Sequence, residues 1–480
     1  MALPSIIGKA MRSKALLTSD GRNMEGLFLA GSSGAVPSSR MRTMITPSAP
    51  RLQASRHRPQ GVDGTFGVRY APAMKIWLKY LIATIVGVMA GLVIPAGSLG
   101  ALNAFAIVAM NIGRYALLPL VFFSVCVAAY ELHEDKRLAK LWLRTGGYSV
   151  ALVIVLALIG LASAFVFSPG RIPLSADSTS TVETLPTVLG IFSAVIPADS
   201  SATLRSFDFL FPAAVFATIL GLAFAFDKTV TRPVFSIFDS FSRIFWQINS
   251  FFVEVLPLPL IVAAAARTAS MAGNQRLSVF GPLFVAIGFE TAFIILALLP
   301  GIMFAMDRAR NPYKTLFALA APAIAALVSG HSYIQAGAAA KHLKESLGVR
   351  RRAGAVALPI ALAFGRAGSA MVTATAFVAI LNSYSNLGLG PSAVLWMMAT
   401  VPIAALLLGA APGAGPIAAL AALCATYGRG FESGYILLAP AALPLAMVAA
   451  FVDAVCMSCV VAVAASKEGF VQSKDLRHFI

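Results

Sequence analysis

The sequence predicts an all-α, polytopic membrane protein, and three observations support this prediction. Hydrophobic residues make up 58% of the 480 positions and charged residues only 12%. Soluble globular domains carry about a quarter charged residues, so a soluble helical protein with a very large core is disfavoured. Apolar stretches long enough to cross a hydrocarbon core of about 30 Å recur along the chain. Glycine and proline interrupt several of these stretches near their middle.

Residues 1–73 differ in composition from the rest of the chain. They contain ten Lys and Arg against three Asp and Glu, and they lack the apolar core of a secretory signal peptide. One interpretation is a disordered basic arm near the membrane surface. The other, which we favour, is a non-native extension before a start at Met74, because Lys75 and a long apolar run follow that residue. Residues 74–480 are predicted to form the membrane domain.

The distribution of charge and the positions of the cysteines and histidines argue against several classes of function. The formal net charge is +17, which in a soluble protein would suggest a nucleic-acid partner. Much of the positive charge lies in short loops between apolar stretches, where Lys and Arg mark the cytoplasmic side, so no nucleic-acid partner is predicted. The four cysteines lie in apolar runs and the five histidines are scattered. We therefore predict no enzyme, no metal site and no cofactor.

Eight apolar stretches are predicted to span the membrane. In chain order they cover residues 77–95, 102–129, 147–167, 185–226, 235–265, 280–306, 353–380 and 441–463. The fourth is interrupted near 197–207. Two further broken stretches lie at 316–352 and 393–426, and basic residues on both flanks of the first favour re-entry on the cytoplasmic side. A break in a helix leaves backbone N–H and C=O groups without helical partners, and these groups must find partners inside the protein or in a water-filled cavity. Broken helices of this kind are typical of transporters.

Short motifs add a resemblance to a known family. Residues 118–124 read LPLVFFS, residues 344–348 read KESLG, and residues 411–415 read APGAG. Together with Pro197 and Pro212 in the fourth stretch, their order resembles the dicarboxylate/amino acid:cation symporter family over about residues 74–470. The resemblance implies eight spans, two re-entrant helical hairpins, inverted repeats and a homotrimer in a bacterial cytoplasmic (inner) membrane.

The resemblance also implies a mechanism. Spans 1, 2, 4 and 5 would form a scaffold, and spans 3, 6, 7 and 8 with both hairpins would form a transport domain that moves like an elevator. Membrane lipid and a small carboxylated solute would be the other partners. The expected activity is secondary active symport of a dicarboxylate or an acidic amino acid with H⁺ or Na⁺.

The sequence departs from the family at its cation site. Typical members carry N-M-D-G-T in span 7, whereas residues 365–369 read GRAGS, so the cation-binding Asn and Asp are absent. The serine-rich tip of the first hairpin keeps only Ser332. In span 8, Asp453 matches the first aspartate, and Glu468 would stand at the last acid. An altered cation site leaves alternatives open: a proton-coupled or uncoupled carrier of another carboxylated solute, or a non-transporting membrane sensor that keeps the fold.

Candidate site residues follow from these patterns. The substrate-binding candidates are Ser332, Tyr333, Arg366, Gly368, Ser369, Pro412, Gly413, Ala414, Gly415 and Asp453. The cation-coupling candidates are Asp453, Glu290 and Glu468. Charged residues inside the membrane are costly and usually functional, half-helix N-termini suit carboxylates, and glycine lets the main chain approach a solute. Burial should also force Arg366 and Asp453 to pair. The structural alternative is that Asp453 only caps or bonds a neighbouring helix, and that Arg366 snorkels or binds carbonyls of the broken helix without touching the substrate.

Overall fold

The computed structural model describes residues 74–167, 171–173, 185–205, 209–308, 310–384, 390–411, 413–472, 474–475 and 479–480. All of them belong to one compact unit, residues 70–480. The predictions for residues 1–73 and for Pro412 lie outside the described residues.

The described chain is helical along almost its whole length. The helices of the first half are α1 Ile76–Val93, α2 Leu99–Arg114, α3 Leu117–Glu134, α4 Leu138–Phe167, α5 Val188–Val195, α6 Ser200–Thr203, α7 Leu210–Ala223, α8 Lys228–Val255 and α9 Pro257–Ala272. Those of the second half are α10 Gly281–Phe293, α11 Leu299–Met306, α12 Pro312–Ala318, α13 Ala320–Ser329, α14 Ala336–Glu345, α15 Arg351–Phe364, α16 Ala367–Tyr384, α17 Pro391–Leu407, α18 Gly415–Tyr427 and α19 Ala442–Lys467.

Among the described residues, six helical stretches are long and apolar enough to cross a membrane, and two bent helix pairs would raise the number to eight. The multi-pass all-α prediction is therefore confirmed, and the six stretches match predicted spans 1, 2, 3, 6, 7 and 8. Predicted span 4 consists of the short helices α5 to α7. Predicted span 5 is not one helix, because α8 and α9 meet at an angle of 50° around Leu256. Pro257 opens α9, a position that proline favours because it needs no N–H partner there.

The helices of predicted spans 7 and 8 form the centre of the fold. In the most apolar windows of the stretches Arg351–Tyr384 and Gly434–Lys467, 89% and 78% of the residues are buried. The corresponding share is only 28% for α1, whose other side chains present an apolar surface suited to lipid. Gly87 and Gly91 let α1 pack tightly on α9, since a Cβ at either position would lie 2.5 Å from a carbonyl oxygen of that helix.

Two helical hairpins complete the core. The first hairpin consists of α12 to α14 with a tip at residues 330–335, and the second consists of α17 and α18 with a tip that includes residues 408–411 and 413–414. The basic residues at the end of the predicted broken stretch 316–352 begin inside α14, where Lys341 is 3% exposed. Burial is tolerated because the Lys341 ammonium lies 2.7 Å from the Glu254 carboxylate on α8. Re-entry of the hairpins, inverted repeats and elevator movement stay predictions.

Candidate functional site

The tips of both hairpins meet α19 at neighbouring residues. Gly330 and Gly415 have φ angles of +66° and +64°, a conformation that side-chain-bearing residues rarely adopt. A Cβ at Gly330 would lie 3.6 Å from Met447 Cγ, and a Cβ at Gly415 would lie 3.6 Å from Ala446 Cβ. The two tips therefore converge on one turn of the central helix.

The break between α15 and α16 lies beside the same helix. A Cβ at Gly368 would lie 2.5 Å from Val452 Cβ and 2.6 Å from the Ala449 carbonyl oxygen. A Cβ at Gly365 would lie 3.0 Å from Met457 Cβ. Both glycines are thus required by close helix packing, which brings the N-terminus of α16 against the middle of α19.

Asp453 on α19 closes this N-terminus. Its side chain is fully buried, and its Oδ1 accepts hydrogen bonds from the amides of Gly368 at 2.7 Å and Ser369 at 3.0 Å. Its Oδ2 accepts a third from the Ser369 hydroxyl at 2.7 Å. The first amides of a helix have no partner within the helix and carry partial positive charge, so they suit a carboxylate. Asp453 therefore caps α16.

Arg366 lies at the break between α15 and α16, is 3% exposed, and forms polar contacts with only part of its guanidinium. Its Nη1 donates to the Ser332 hydroxyl at 2.8 Å and lies 3.8 Å from Asp453 Oδ2, within ion-pair distance. Its Nε and Nη2 are buried and have no acceptor in the described part of the chain. These two nitrogens form one edge of the guanidinium, the edge that can grip both oxygens of a carboxylate. A buried charged donor without an acceptor costs free energy, so this edge of the guanidinium suits an anion.

Residues of the first hairpin tip contact the guanidinium. Its central carbon lies 5.6 Å from the centroid of the Tyr333 ring, a cation–π distance. The Tyr333 hydroxyl donates to the Gly409 carbonyl at 3.4 Å and so joins the first tip to the second. Gln335, which the sequence analysis missed, is fully buried and donates to the Ser332 carbonyl at 2.8 Å. Its Oε1 has no donor among the described residues. A polar amide inside an apolar hairpin was the available signal for it.

The surroundings of the tip are positively charged. Arg114 on α2, Arg267 on α9 and Arg366 all act electrostatically on His331 at the first tip. Arg267 also donates to the Ser329 carbonyl at 3.2 Å. Three guanidiniums around one hairpin tip favour an anion over a cation at this place.

The remaining candidates lie further away or at the rim. Gly413 is exposed, whereas Ala414 and Gly415 are half-buried. Glu468 follows the last turn of α19, ~22 Å along the helix from Asp453, and pairs with Arg144 at 2.5 Å. Glu290 lies on α10 and contacts Thr375 instead of the tips. The structure therefore does not bring Glu468 or Glu290 to Arg366.

In the described ranges, no group of three or more His, Cys, Asp or Glu is arranged to hold a metal ion.

The chain is similar to a known protein family and to a curated protein. A family model described as the sodium:dicarboxylate symporter family matches residues 76–468. A protein from Bacillus caldotenax named "Proton/sodium-glutamate symport protein" is 22% identical over 200 residues. That match covers 39% of this chain and 47% of the relative, so it spans about half of the relative's length.

Proposed function

The chain belongs to the sodium:dicarboxylate symporter family, and on that premise we propose that it is a secondary active transporter of a small carboxylated solute. This family is one of transporters and not a class of enzymes. The solute we propose is a dicarboxylate, which the family description names, or an acidic amino acid, which the name of the relative from Bacillus caldotenax suggests. The observation that carries the proposal is the Nε–Nη2 edge of Arg366, which is buried beside the first hairpin tip and has no acceptor among the described residues.

Arg366 suits a carboxylate in geometry and in charge. The Nε and Nη2 hydrogens point in parallel, which matches the two oxygens of a carboxylate and adds specificity that a single point charge lacks. The N-termini of α14 and α18 begin at the two tips and contribute further partial positive charge. An anion held there would satisfy donors that otherwise remain buried without an acceptor.

Arg366 also supports a changed role for the cation. The break at residues 365–369 lacks the Asn and Asp that bind a cation in typical members, and a guanidinium stands 3.8 Å from Asp453 instead. A fixed positive charge at this place compensates Asp453 without an ion from solution. We therefore propose that Arg366 acts as a tethered cation and that solute uptake needs no sodium at this site.

The wider assembly follows the family. We propose a homotrimer in a bacterial cytoplasmic membrane, in which the second tip, with Gly413 exposed at its rim, gates access to Arg366. The exposed apolar side chains of α1 and α4, such as Met89 and Val166, support contact with lipid.

The test is uptake by the full chain in proteoliposomes, with labelled C4-dicarboxylates and acidic amino acids as a panel. Arg366→Lys keeps the charge but loses the bidentate edge, and Arg366→Gln loses both. Initial rates should fall in the order wild type, Arg366→Lys, Arg366→Gln. Arg243→Gln, on a side chain that is 70% exposed, is the control and should match wild type. Insertion and assembly are checked by size-exclusion chromatography. Uptake by Arg366→Gln with the wild-type KM would contradict the proposal.

A further inference from the structure

A second buried acid lies apart from the solute site. Glu290 stands near the midpoint of the apolar stretch Gln275–Met306 and is 3% exposed. We propose that Glu290, held between α4, α10 and α16, is a proton-binding site that carries one H⁺ with the solute. The contacts of Glu290 support the binding of a proton. The movement of this proton with the solute rests on the proposed transport function.

Two hydroxyl groups surround one oxygen of this carboxyl group. Glu290 Oε1 contacts the hydroxyls of Ser163 on α4 and Thr375 on α16, the latter at 2.8 Å. Both hydroxyls also lie within hydrogen-bond distance of the Gly160 carbonyl, at 3.1 and 3.2 Å. Thr375 Oγ1 has a further acceptor, the Met371 carbonyl, at 3.2 Å. Because main-chain carbonyls can take the hydroxyl protons, a protonated Oε1 could itself donate to either hydroxyl.

Among the described residues, no group compensates a negative charge on the other oxygen. Glu290 Oε2 is buried without a donor in the described ranges. The charged and titratable groups on the elements packed against α10 are Lys140, Arg144 and Tyr148 on α4, Tyr384 on α16, and Arg276 in the helical turn at 275–280. Each is nine or more residues along its helix from the residue at the contact, which is ~14 Å or more. None of them forms an ion pair with Glu290.

An ionised carboxylate in such a place is expensive. Transferring an unpaired charge into an apolar interior costs so much that the group normally neutralises by binding a proton. Two hydroxyl contacts on one oxygen offset only part of this cost. Asp453 shows the contrast, since it has two amides, two hydroxyls and a guanidinium around it. The two buried carboxyl groups therefore suit different charge states, Asp453 the ionised form and Glu290 the protonated form.

The position of Glu290 also links it to the solute site. Ser369 and Thr375 lie six residues apart on α16, ~9 Å along the helix axis, and contact Asp453 and Glu290 respectively. A Cβ at Gly160 would lie 2.6 Å from the Met371 carbonyl, so α4 and α16 are packed closely at this level. A π-helical turn, Ile294–Leu298, begins just after Glu290, and such turns are frequent at functional sites. A change in the charge or the contacts of either acid therefore acts on α16.

The proton exchanges with water on the two sides of the membrane. On one side a proton from water forms the O–H bond of Glu290, and on the other side this bond breaks and the proton returns to water. The neutral form crosses with the solute, which avoids moving an uncompensated charge through the hydrocarbon layer.

The direct test is infrared spectroscopy of the full chain in detergent during a pH titration. Wild type should show the carbonyl band of a protonated carboxyl group near neutral pH, and Glu290→Gln should lack it. Glutamine keeps an oxygen for Ser163 and Thr375, so the variant should fold. Glu432→Gln, at an exposed position, is the matched control and should keep the band. An identical band in wild type and Glu290→Gln, or its absence from wild type, would overturn the proposal.

A second readout follows proton movement. In proteoliposomes with an internal pH dye, a solute gradient should acidify the lumen for wild type, and Glu290→Gln should lose this signal while still exchanging labelled solute. Solute uptake by wild type without proton flux would overturn the coupling role but leave the proposed solute function intact. A titrating band at Glu290 in a protein that carries no panel solute would support proton binding while contradicting the proposed function. Loss of the band on adding sodium would overturn the proton in favour of a metal cation.

Discussion

The ion pair of Arg366 and Asp453 allows the sharpest stability test. Their side chains are 4% and 1% exposed, and Nη1 lies 3.8 Å from Oδ2. At an effective dielectric constant of about 20, two unit charges at this distance attract by ~4 kcal/mol. Removing one partner of a buried pair typically costs ~3–5 kcal/mol, because the other charge is left uncompensated. Arg366→Met and Asp453→Asn should each lower the free energy of unfolding by about that amount.

The double variant should lose much less than the sum of the two. Asparagine keeps an oxygen for the amides of Gly368 and Ser369, and methionine fills part of the volume of the arginine. We expect a coupling free energy of ~2–3 kcal/mol, near the upper end for residues in contact. The assay is unfolding in mixed detergent micelles, followed by tryptophan fluorescence, for wild type, both single variants and the double variant.

A solvent-exposed pair provides the control. Lys228 and Glu134 lie closer together, at 2.7 Å, but their side chains are 58% and 40% exposed. Water screening should limit their coupling to less than ~1 kcal/mol despite the shorter distance. A coupling between Arg366 and Asp453 no larger than that of this pair would refute the inference that burial makes the two charges depend on each other.

Three further predictions concern packing, gating and topology. Gly368→Ala places a Cβ 2.5 Å from Val452 Cβ and should lower stability by ~1–3 kcal/mol in the same unfolding assay, whereas Gly147→Ala, with no atom within 4 Å, should be tolerated. Gly413→Val should abolish proteoliposome uptake without reducing membrane insertion, because a branched side chain would obstruct the second tip; wild-type uptake would mean that this tip is only a connector. Cysteine at the exposed Arg350 should resist an impermeant thiol reagent on intact cells and react in inside-out vesicles, since the basic stretch is predicted to be cytoplasmic; labelling from outside would contradict re-entry of the first hairpin.

The broad architecture could be predicted from the sequence because its signals are local. Long apolar stretches reveal the spans, and the family inferred from short motifs is confirmed over residues 76–468. Arg366 and Asp453 could be selected because a charge stands out within an apolar stretch, and burial made their proximity predictable. The bend at Leu256 was also within reach, since Pro257 and Pro259 mark a helix start inside predicted span 5.

The details of the site depend on contacts between distant parts of the chain. The hydrogen bonds from Gly368 and Ser369 to Asp453 join residues 85 and 84 positions apart, and no local pattern indicates them. The same holds for Glu290, whose contact with Ser163 spans 127 positions. The sequence therefore indicated which acids are unusual, but tertiary packing decides that Asp453 is compensated and Glu290 is not.

The central claim is that Arg366 takes the place of a bound cation, and sodium dependence tests it most directly. Initial uptake of the best panel solute is measured in proteoliposomes with sodium on both sides and with sodium fully replaced by choline, at constant pH. The tethered-cation account predicts equal rates in the two buffers for wild type. Uptake that requires sodium in the wild-type protein would contradict it.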